Sequence, residues 1–425
     1  MLLTRRGALA GTAALVAPGA VGAQTAPSVL NLYSHRIHKI VATGGQGGDI
    51  TAAWSKRTGI RVNWVTFETA PLEERLFREA SLSETSVDIG FVLNTQMTDR
   101  MARLFEPLDN RMRAAPIEEF DDLFPGLVAG MEVGGKPYGV AFRHASSGLH
   151  YNETFFNERG LAGPPRTAEE LVAIAKQCTY TRADGSKVAG FVMGGLGYAD
   201  IIAFARAWDA DYITTDMQVV ANQPAMVTAV SALRDLYASG ALPRNITAIN
   251  GEDVNLWIQT GRAAMIIGAM GRNAIYNDPA KSKFPGAIKT IPIPVAASLQ
   301  GKYAVAPTKV EFWGMAIPQA ARNKELAWDL IRAMSTKEST VMAALSGNGP
   351  VRNSAYDDPR IRAALAYADA ERRVLQVSRV AIPAFDNAAK AGDLLQEEVH
   401  AAVLGMKPVQ KAMDDLVERT KRIIA

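Results

Sequence analysis

Val29-Leu30-Asn31-Leu32-Tyr33, Ile60-Arg61-Val62-Asn63-Trp64-Val65 and Val87-Asp88-Ile89-Gly90-Phe91-Val92 are three short apolar runs near the start of the chain. The first reads as a buried strand ended by Ser34-His35-Arg36, and the second alternates as a strand does. Between them lie two helix-like stretches. One leads to Trp54 and Lys56 and is punctuated by Thr58-Gly59. The other runs from Leu72 to Ala80, with Glu73, Glu74 and Arg75 on its wet face. Strand–helix–strand repeats of this length predict an α/β fold whose parallel strands are joined by right-handed crossovers. Ligands in open sheets of this kind bind past the carboxyl ends of the strands. The loops Ser34–Arg36 and Leu93–Gln96 are therefore candidate binding loops, with His35, Arg36, Asn94 and Gln96 as candidate contacts.

Further along, Gly135-Lys136-Pro137-Tyr138-Gly139-Val140 is a turn feeding an extended segment. Gly148-Leu149-His150-Tyr151-Asn152 is another strand, followed by a short helix at Thr154–Glu158. Thr167 is a good helix N-cap, and Glu170 three residues later completes a capping box. Asn222-Gln223-Pro224 opens an amphipathic helix that runs to Tyr237. Ser239-Gly240-Ala241-Leu242-Pro243 stops it, glycine before proline.

The N-terminus carries an export signal. Arg5 and Arg6 form a charged start, Ala8 to Val21 is apolar, and Val21-Gly22-Ala23 supplies the small residues of a cleavage site, so the expected cut follows Ala23. The apolar run is too short for a membrane span. Thr4-Arg5-Arg6-Gly7-Ala8-Leu9 resembles a twin-arginine signal without its usual bulky residue, which leaves the twin-arginine and general secretory routes both open. Cys178 is the only cysteine, so no intrachain disulfide forms, and no Cys follows the signal to take a lipid anchor. An exported, unanchored chain needs a closed compartment, which predicts the periplasm. The formal charge is +3, and removing Arg5 and Arg6 with the signal leaves +1. That balance argues against a nucleic-acid surface. Apolar and charged contents of 48% and 21% are those of an ordinary globular protein.

A series of segments then resembles the family 1 extracellular solute-binding proteins, the group that contains the maltodextrin-binding protein. In order they are Gly135–Val140, Leu149-His150-Tyr151-Asn152-Glu153, Gly160-Leu161 before Pro164-Pro165-Arg166-Thr167, and Asp184-Gly185-Ser186-Lys187 with Gly190-Phe191. The helix from Asn222 to Leu242-Pro243 follows, then Gly261-Arg262-Ala263-Ala264-Met265 and Trp313-Gly314-Met315-Ala316-Ile317-Pro318. Asn323 to Trp328, Gly347-Asn348-Gly349-Pro350-Val351-Arg352 and Asp358-Pro359 complete it. No single motif is specific; their joint order and spacing are. The start of the chain, Asn31 to Arg36 with Thr58-Gly59-Ile60, looks more like ferric-ion-binding relatives. Those relatives ligate iron with adjacent tyrosines, and this sequence has no Tyr-Tyr pair.

The resemblance implies a two-lobed periplasmic-binding-protein fold, type II-like, with three crossings between the lobes near 141–144, 310–314 and 349–352. Lobe 1 would comprise 28–141 plus 315–348, and lobe 2 142–312 plus 353–425. A small polar solute, a sugar, polyol or sugar derivative, would sit between the lobes of a monomer that delivers it to the permease subunits of an ABC importer. No cofactor is implied. Arg143 and His144 fall at the first crossing and Trp313 at the second. Tyr198 follows the Gly-rich loop Gly194–Gly197, and Trp208 lies in the following helical run. Met270 and Arg272 end a strand where relatives carry stacking aromatics, and Arg352 follows Gly349-Pro350. If Arg36, Arg143, Arg272 and Arg352 converge, the solute is acidic, because guanidinium forks suit carboxylate and phosphate.

The sequence contains no nucleophile elbow, phosphate loop or His-Glu-x-x-His helix. His35 and His38 are three apart, a weak metal signal without a carboxylate or Cys companion. A secreted carbohydrate-active hydrolase or lyase is the rival reading, and the expectation is that the chain is not an enzyme.

Overall fold

The computed structural model describes residues 27–424; the expected export signal over 1–23 lies outside them. The strands of the main sheet are β1 (Val29–His35), β2 (Arg61–Phe67), β3 (Ile89–Leu93), β4 (Val140–Asn152), β5 (Tyr180–Thr181), β6 (Lys187–Val192), β7 (Ala263–Ala269), β8 (Ile288–Ile291) and β9 (Val310–Ala316), and Glu132–Val133 pairs separately with Lys136–Pro137. The main sheet has the order β2-β1-β3-β9-β4-β7-β6-β5, with β8 also on β4. β1 pairs in parallel with both β2 and β3, which is what the three opening runs predict. Helices used below are α1 (Arg36–Thr43), α2 (Thr69–Ala80), α3 (Ala168–Gln177), α4 (Tyr198–Ala205), α5 (Pro224–Ala238), α6 (Ala368–Leu375), α7 (Ala388–Val403) and α8 (Val409–Ile424).

Local chemistry sets several boundaries. The Thr167 hydroxyl accepts from the Glu170 N–H at 3.1 Å and starts α3, while the Glu170 carboxylate reaches past the cap to the Arg166 N–H. Gly190 lets β6 approach α3: a Cβ there would lie 1.6 Å from the Ala175 carbonyl oxygen.

The sheet is long but the hydrophobic interior is split into two main cores, with a small third cluster of Met270, Val305, Tyr367, Ala370 and Val374. The first core holds β1 to β3, the start of β4 and β9, with Leu32, Phe91, Phe142 and Met315 buried. The second holds the end of β4, β6, β7, α4 and α5, capped by α7 and α8. β4 passes from Phe142 in one core to Leu149 in the other, and the chain returns between Ala306 and Val310. The third passage differs from the expectation. Ala355, Tyr356, Ile361, Ala368 and Leu375 all lie in the first core, and the chain reaches the second at Ala381. Residues 349–352 touch the crossing strand without leaving lobe 1: Asn348 donates to the Phe142 carbonyl at 2.8 Å, and His144 Nε2 lies 2.9 Å from the Pro350 carbonyl.

The three passages run side by side. Ser147 N–H donates to Lys309 O, Val310 N–H to Arg379 O, and Arg379 N–H to Thr308 O. Arg206, 2% exposed at the end of α4, clamps them from lobe 2. It donates to the carbonyls of Arg379 at 2.9 Å and Val380 at 2.7 Å, and pairs with Asp211 at 2.8 Å. Removing one member of such a buried set strands the others. Arg206→Met should therefore lower the unfolding free energy by about 3 kcal/mol, measured by urea denaturation; a loss below about 1 kcal/mol would mean the clamp is ornamental.

Candidate ligand-binding cleft

The carboxyl ends of the parallel strands face the gap between the cores. On the lobe 1 side, β1 ends at His35. Its Nδ1 accepts from the Ile37 N–H at 3.2 Å and so caps α1. The ring proton therefore sits on Nε2, 3.3 Å from Glu68, and the same carboxylate holds Arg36 at 3.0 Å.

The floor is made where β9 runs antiparallel to β4. Trp313 stands opposite Arg143, Phe312 opposite His144, and Glu311 opposite Ala145. Opposed residues share a face and neighbours alternate. Trp313, Glu311, Arg143 and Ala145 thus share one face, and Phe312 and His144 the other. Burial follows the same alternation: Arg143 and Ala145 are half-buried between fully buried neighbours. Trp313, 8% exposed, is flanked by the rings of His35 at 6.3 Å and His38 at 5.1 Å.

On the lobe 2 side, Gly197 caps α4, which begins with Tyr198. The Tyr198 ring lies on Gly392 of α7, where a Cβ would come within 2.9 Å. Asp200 in the first turn accepts from the Gly194 N–H at 3.3 Å. Glu311 is the electrostatic centre of the cleft. Its charge reaches Glu73 of lobe 1, Arg143 of the floor, and Tyr198 and Asp200 of lobe 2. Burial, then Glu311, pushes the Glu73 carboxyl up. Burial also raises Asp200, against the opposing pull of Lys309, the Gly194 N–H and Arg272. Burial lowers Arg143, whose Nε has no hydrogen-bond partner, and Glu311 works the other way.

Of the residues singled out from sequence, Arg143 and Trp313 stand opposite one another across β4 and β9, the His35 ring lies 6.3 Å from Trp313, and Tyr198 opens α4 within reach of the Glu311 charge. Arg272 stands at the lobe 2 edge of the cleft, bonded to Asn255 at 2.9 Å. Gln96 is half-buried in the turn after β3, and Arg36 is exposed and taken by Glu68. The remainder have structural work. Asn94 is buried and accepts from the Phe312 N–H at 3.0 Å. His144 points away from the cleft, because it is odd in the alternation that aims Arg143 inward. Trp208 packs on the second core beside Phe204, ring centres 5.2 Å apart. Met270 is fully buried beneath Gly148. Arg352, 1% exposed, donates to the carbonyls of Ser335, Glu118 and Glu119. Glu73, Asp200 and Glu311 were missed. Glu311 was legible as a charge inside the buried run Val310-Glu311-Phe312-Trp313.

A model of the bacterial extracellular solute-binding proteins matches residues 48–341. The chain belongs to that family. An ABC transporter-binding protein of Deinococcus radiodurans, described as probable, is 23% identical over 323 residues, 74% of each chain. The sn-glycerol-3-phosphate-binding periplasmic protein of Agrobacterium fabrum is 23% identical over 320 residues, 70% of each. Among solved structures, the sugar-binding protein MalE of Xanthomonas citri superposes with a TM-score of 0.78 at 18% identity, covering 93% of this chain and 97% of the other. A ribitol-bound ABC transporter solute-binding protein of Agrobacterium radiobacter gives 0.72 at 21%, covering 93% and 98%. The fold is thus the two-lobed one of the solute-binding proteins, a family of transport receptors rather than enzymes. No helix among the described residues is long and apolar enough to cross a membrane.

This solute-binding protein keeps His38, His144 and His150 fully buried, and burial lowers all three. His150 falls to about 4. The folded state therefore wants these rings neutral, whereas the unfolded chain takes up protons near pH 6.5. Stability should be full above pH 6.5 and fall as pH drops toward 4, with His150 alone accounting for about 3 kcal/mol of it. Urea midpoints measured down that range check this, and His150→Leu should flatten the curve.

Proposed function

We propose that the cleft takes a neutral polyhydroxylated solute, a sugar or polyol, and that the exported protein hands it to the permeases of an ABC importer from the periplasm. One observation carries the reading: Trp313 shares its face with Arg143 and Glu311, opposite charges that no ion pair occupies among the described residues. An indole face suits the C–H face of a sugar. A carboxylate accepts hydroxyls and a guanidinium donates to them, and such charge-assisted bonds are the strong ones. Glu73 and Asp200 add acceptors from both lobes. The acidic-solute reading loses two of its four donors, since Arg36 is held by Glu68 and Arg352 by backbone carbonyls, and the Arg143 that remains faces the charge of Glu311. The ribitol bound by one structural neighbour and the maltose bound by another support the choice of class. Closure of the lobes over the solute, about the three passages, would present one shape to the importer.

Thermal-shift screening of ribitol, mannitol, maltose, a sugar acid and glycerol 3-phosphate tests the class. A neutral binder at a hundred times its dissociation constant should add about 2.7 kcal/mol of stability. Its affinity should change little with salt, and saturation should reduce the radius of gyration in small-angle scattering. Glu311→Gln, Arg143→Ala and Trp313→Ala should each weaken binding roughly ten- to a hundredfold. Binding confined to the anions, with steep salt dependence, would overturn the neutral reading.

A further inference from the structure

His38 lies beneath the cleft floor, on the first turn of α1, and is 0% exposed. Neither ring nitrogen has a hydrogen-bond partner. Its surroundings are rings. Phe91 of β3 stacks on it at 4.7 Å and 26°, and Trp313 of β9 meets it edge-on at 5.1 Å and 69°. Phe142 of β4 is at 5.9 Å and His35 at 6.0 Å. A buried polar group with no partner is a cost that a phenylalanine in the same space would avoid, so packing alone gives no reason for an imidazole. What the imidazole adds is an N–H edge against aromatic faces and the capacity to take a proton.

We propose that His38 is a positioning residue for the solute platform: its neutral ring holds the plane of Trp313, and a proton on His38 displaces Trp313 and releases the solute. This rests on the reading of Trp313 as a solute-facing ring. The charged and titratable groups that face His38 are Arg143 on β4 and His35 at the end of β1, while β3 and β9 present only Phe91 and Trp313. The carboxylate that reaches His35, Glu68, also holds Arg36. A proton on His38 therefore finds no hydrogen-bonded counter-ion and no exposed surface. Burial first, then Arg143 and His35, hold the imidazole well below its ordinary range. Of the rings around His38, Phe91 and Phe142 are buried while Trp313 is 8% and His35 18% exposed, so solvent lies on the side where Trp313 and His35 stand.

The test uses the full exported chain. The chain has six tryptophans, so the emission of Trp313 is taken as the difference between the parent and Trp313→Phe. That difference is titrated without solute from about pH 7.5 downward, with far-UV circular dichroism confirming the fold at each step. Affinity for whichever of ribitol, mannitol or maltose stabilises the protein is measured over the same range. In the parent, Trp313 emission should change in one step well on the acid side of pH 6.5, and affinity should fall about tenfold or more across it. His38→Phe keeps a ring and loses the proton. It should bind within about threefold of the parent at neutral pH and show neither step. His38→Ala, if it folds, should bind about tenfold more weakly at neutral pH. The same emission step in His38→Phe overturns the proposal, as does parental affinity in a folded His38→Ala. The emission titration needs no solute, so it stands if none of the three sugars or polyols binds. An emission step that follows His38 while affinity stays flat overturns the release and shows that the earlier reading of Trp313 is what failed.

Discussion

Three stretches of backbone pass between the lobes, and they are hydrogen-bonded to one another: Ser147 to Lys309, and Arg379 to both Thr308 and Val310. Everything else about the cleft depends on that ribbon. The two main hydrophobic cores, with only the small cluster of Met270, Val305, Tyr367, Ala370 and Val374 beside them, would otherwise be beads on a linker. Strand pairing between the passages fixes which faces of β4 and β9 look into the gap. Arg206 adds three carbonyl contacts and an ion pair from lobe 2, so the clamp belongs to one lobe while the ribbon belongs to both. That arrangement permits bending without dissolving the register.

The register in turn decides the chemistry of the floor. Because side chains alternate, Trp313 and Arg143 cannot face the cleft unless Phe312 and His144 face away. The charges left on the cleft side, Arg143 with Glu311 and Lys309 near Asp200, come in opposite signs at close quarters. Such a surface offers both donors and acceptors while keeping the net field small, which suits hydroxyls better than a formal charge. Titratable groups that packing has fully buried go the other way. His38, His144 and His150 are kept neutral because a charge there would lose its water without gaining a partner. The stability of the scaffold and the state of the site are therefore exposed to the same variable, acid.

Local pattern was enough for the parallel opening of the sheet, for the α3 cap at Thr167 and for the loops at His35 and after β3, since each depends on residues close in sequence. The family resemblance, not local pattern, marked Arg143 and Trp313 as residues of the crossings. Local pattern was not enough to separate Arg143 from His144, because that choice depends on the register between strands some 170 residues apart in the chain. Nor could it tell that Arg352 is occupied: its partners Glu118, Glu119 and Ser335 arrive from two other segments. The third passage was misplaced for the same reason. Gly349 and Pro350 do lie against the crossing strand, but Tyr356 and Glu371 bond to each other, and Glu371 to Ser146, which keeps α6 on the lobe 1 side until Leu375. The sequence by itself determined the class of fold and the strand ends around the gap, because apolar period and turn chemistry are written locally, and the joint order of its segments carried the family resemblance. Only the tertiary structure decided which charges are free to meet a solute and where His38 lies under Trp313, because a side chain's partners come from wherever the chain returns.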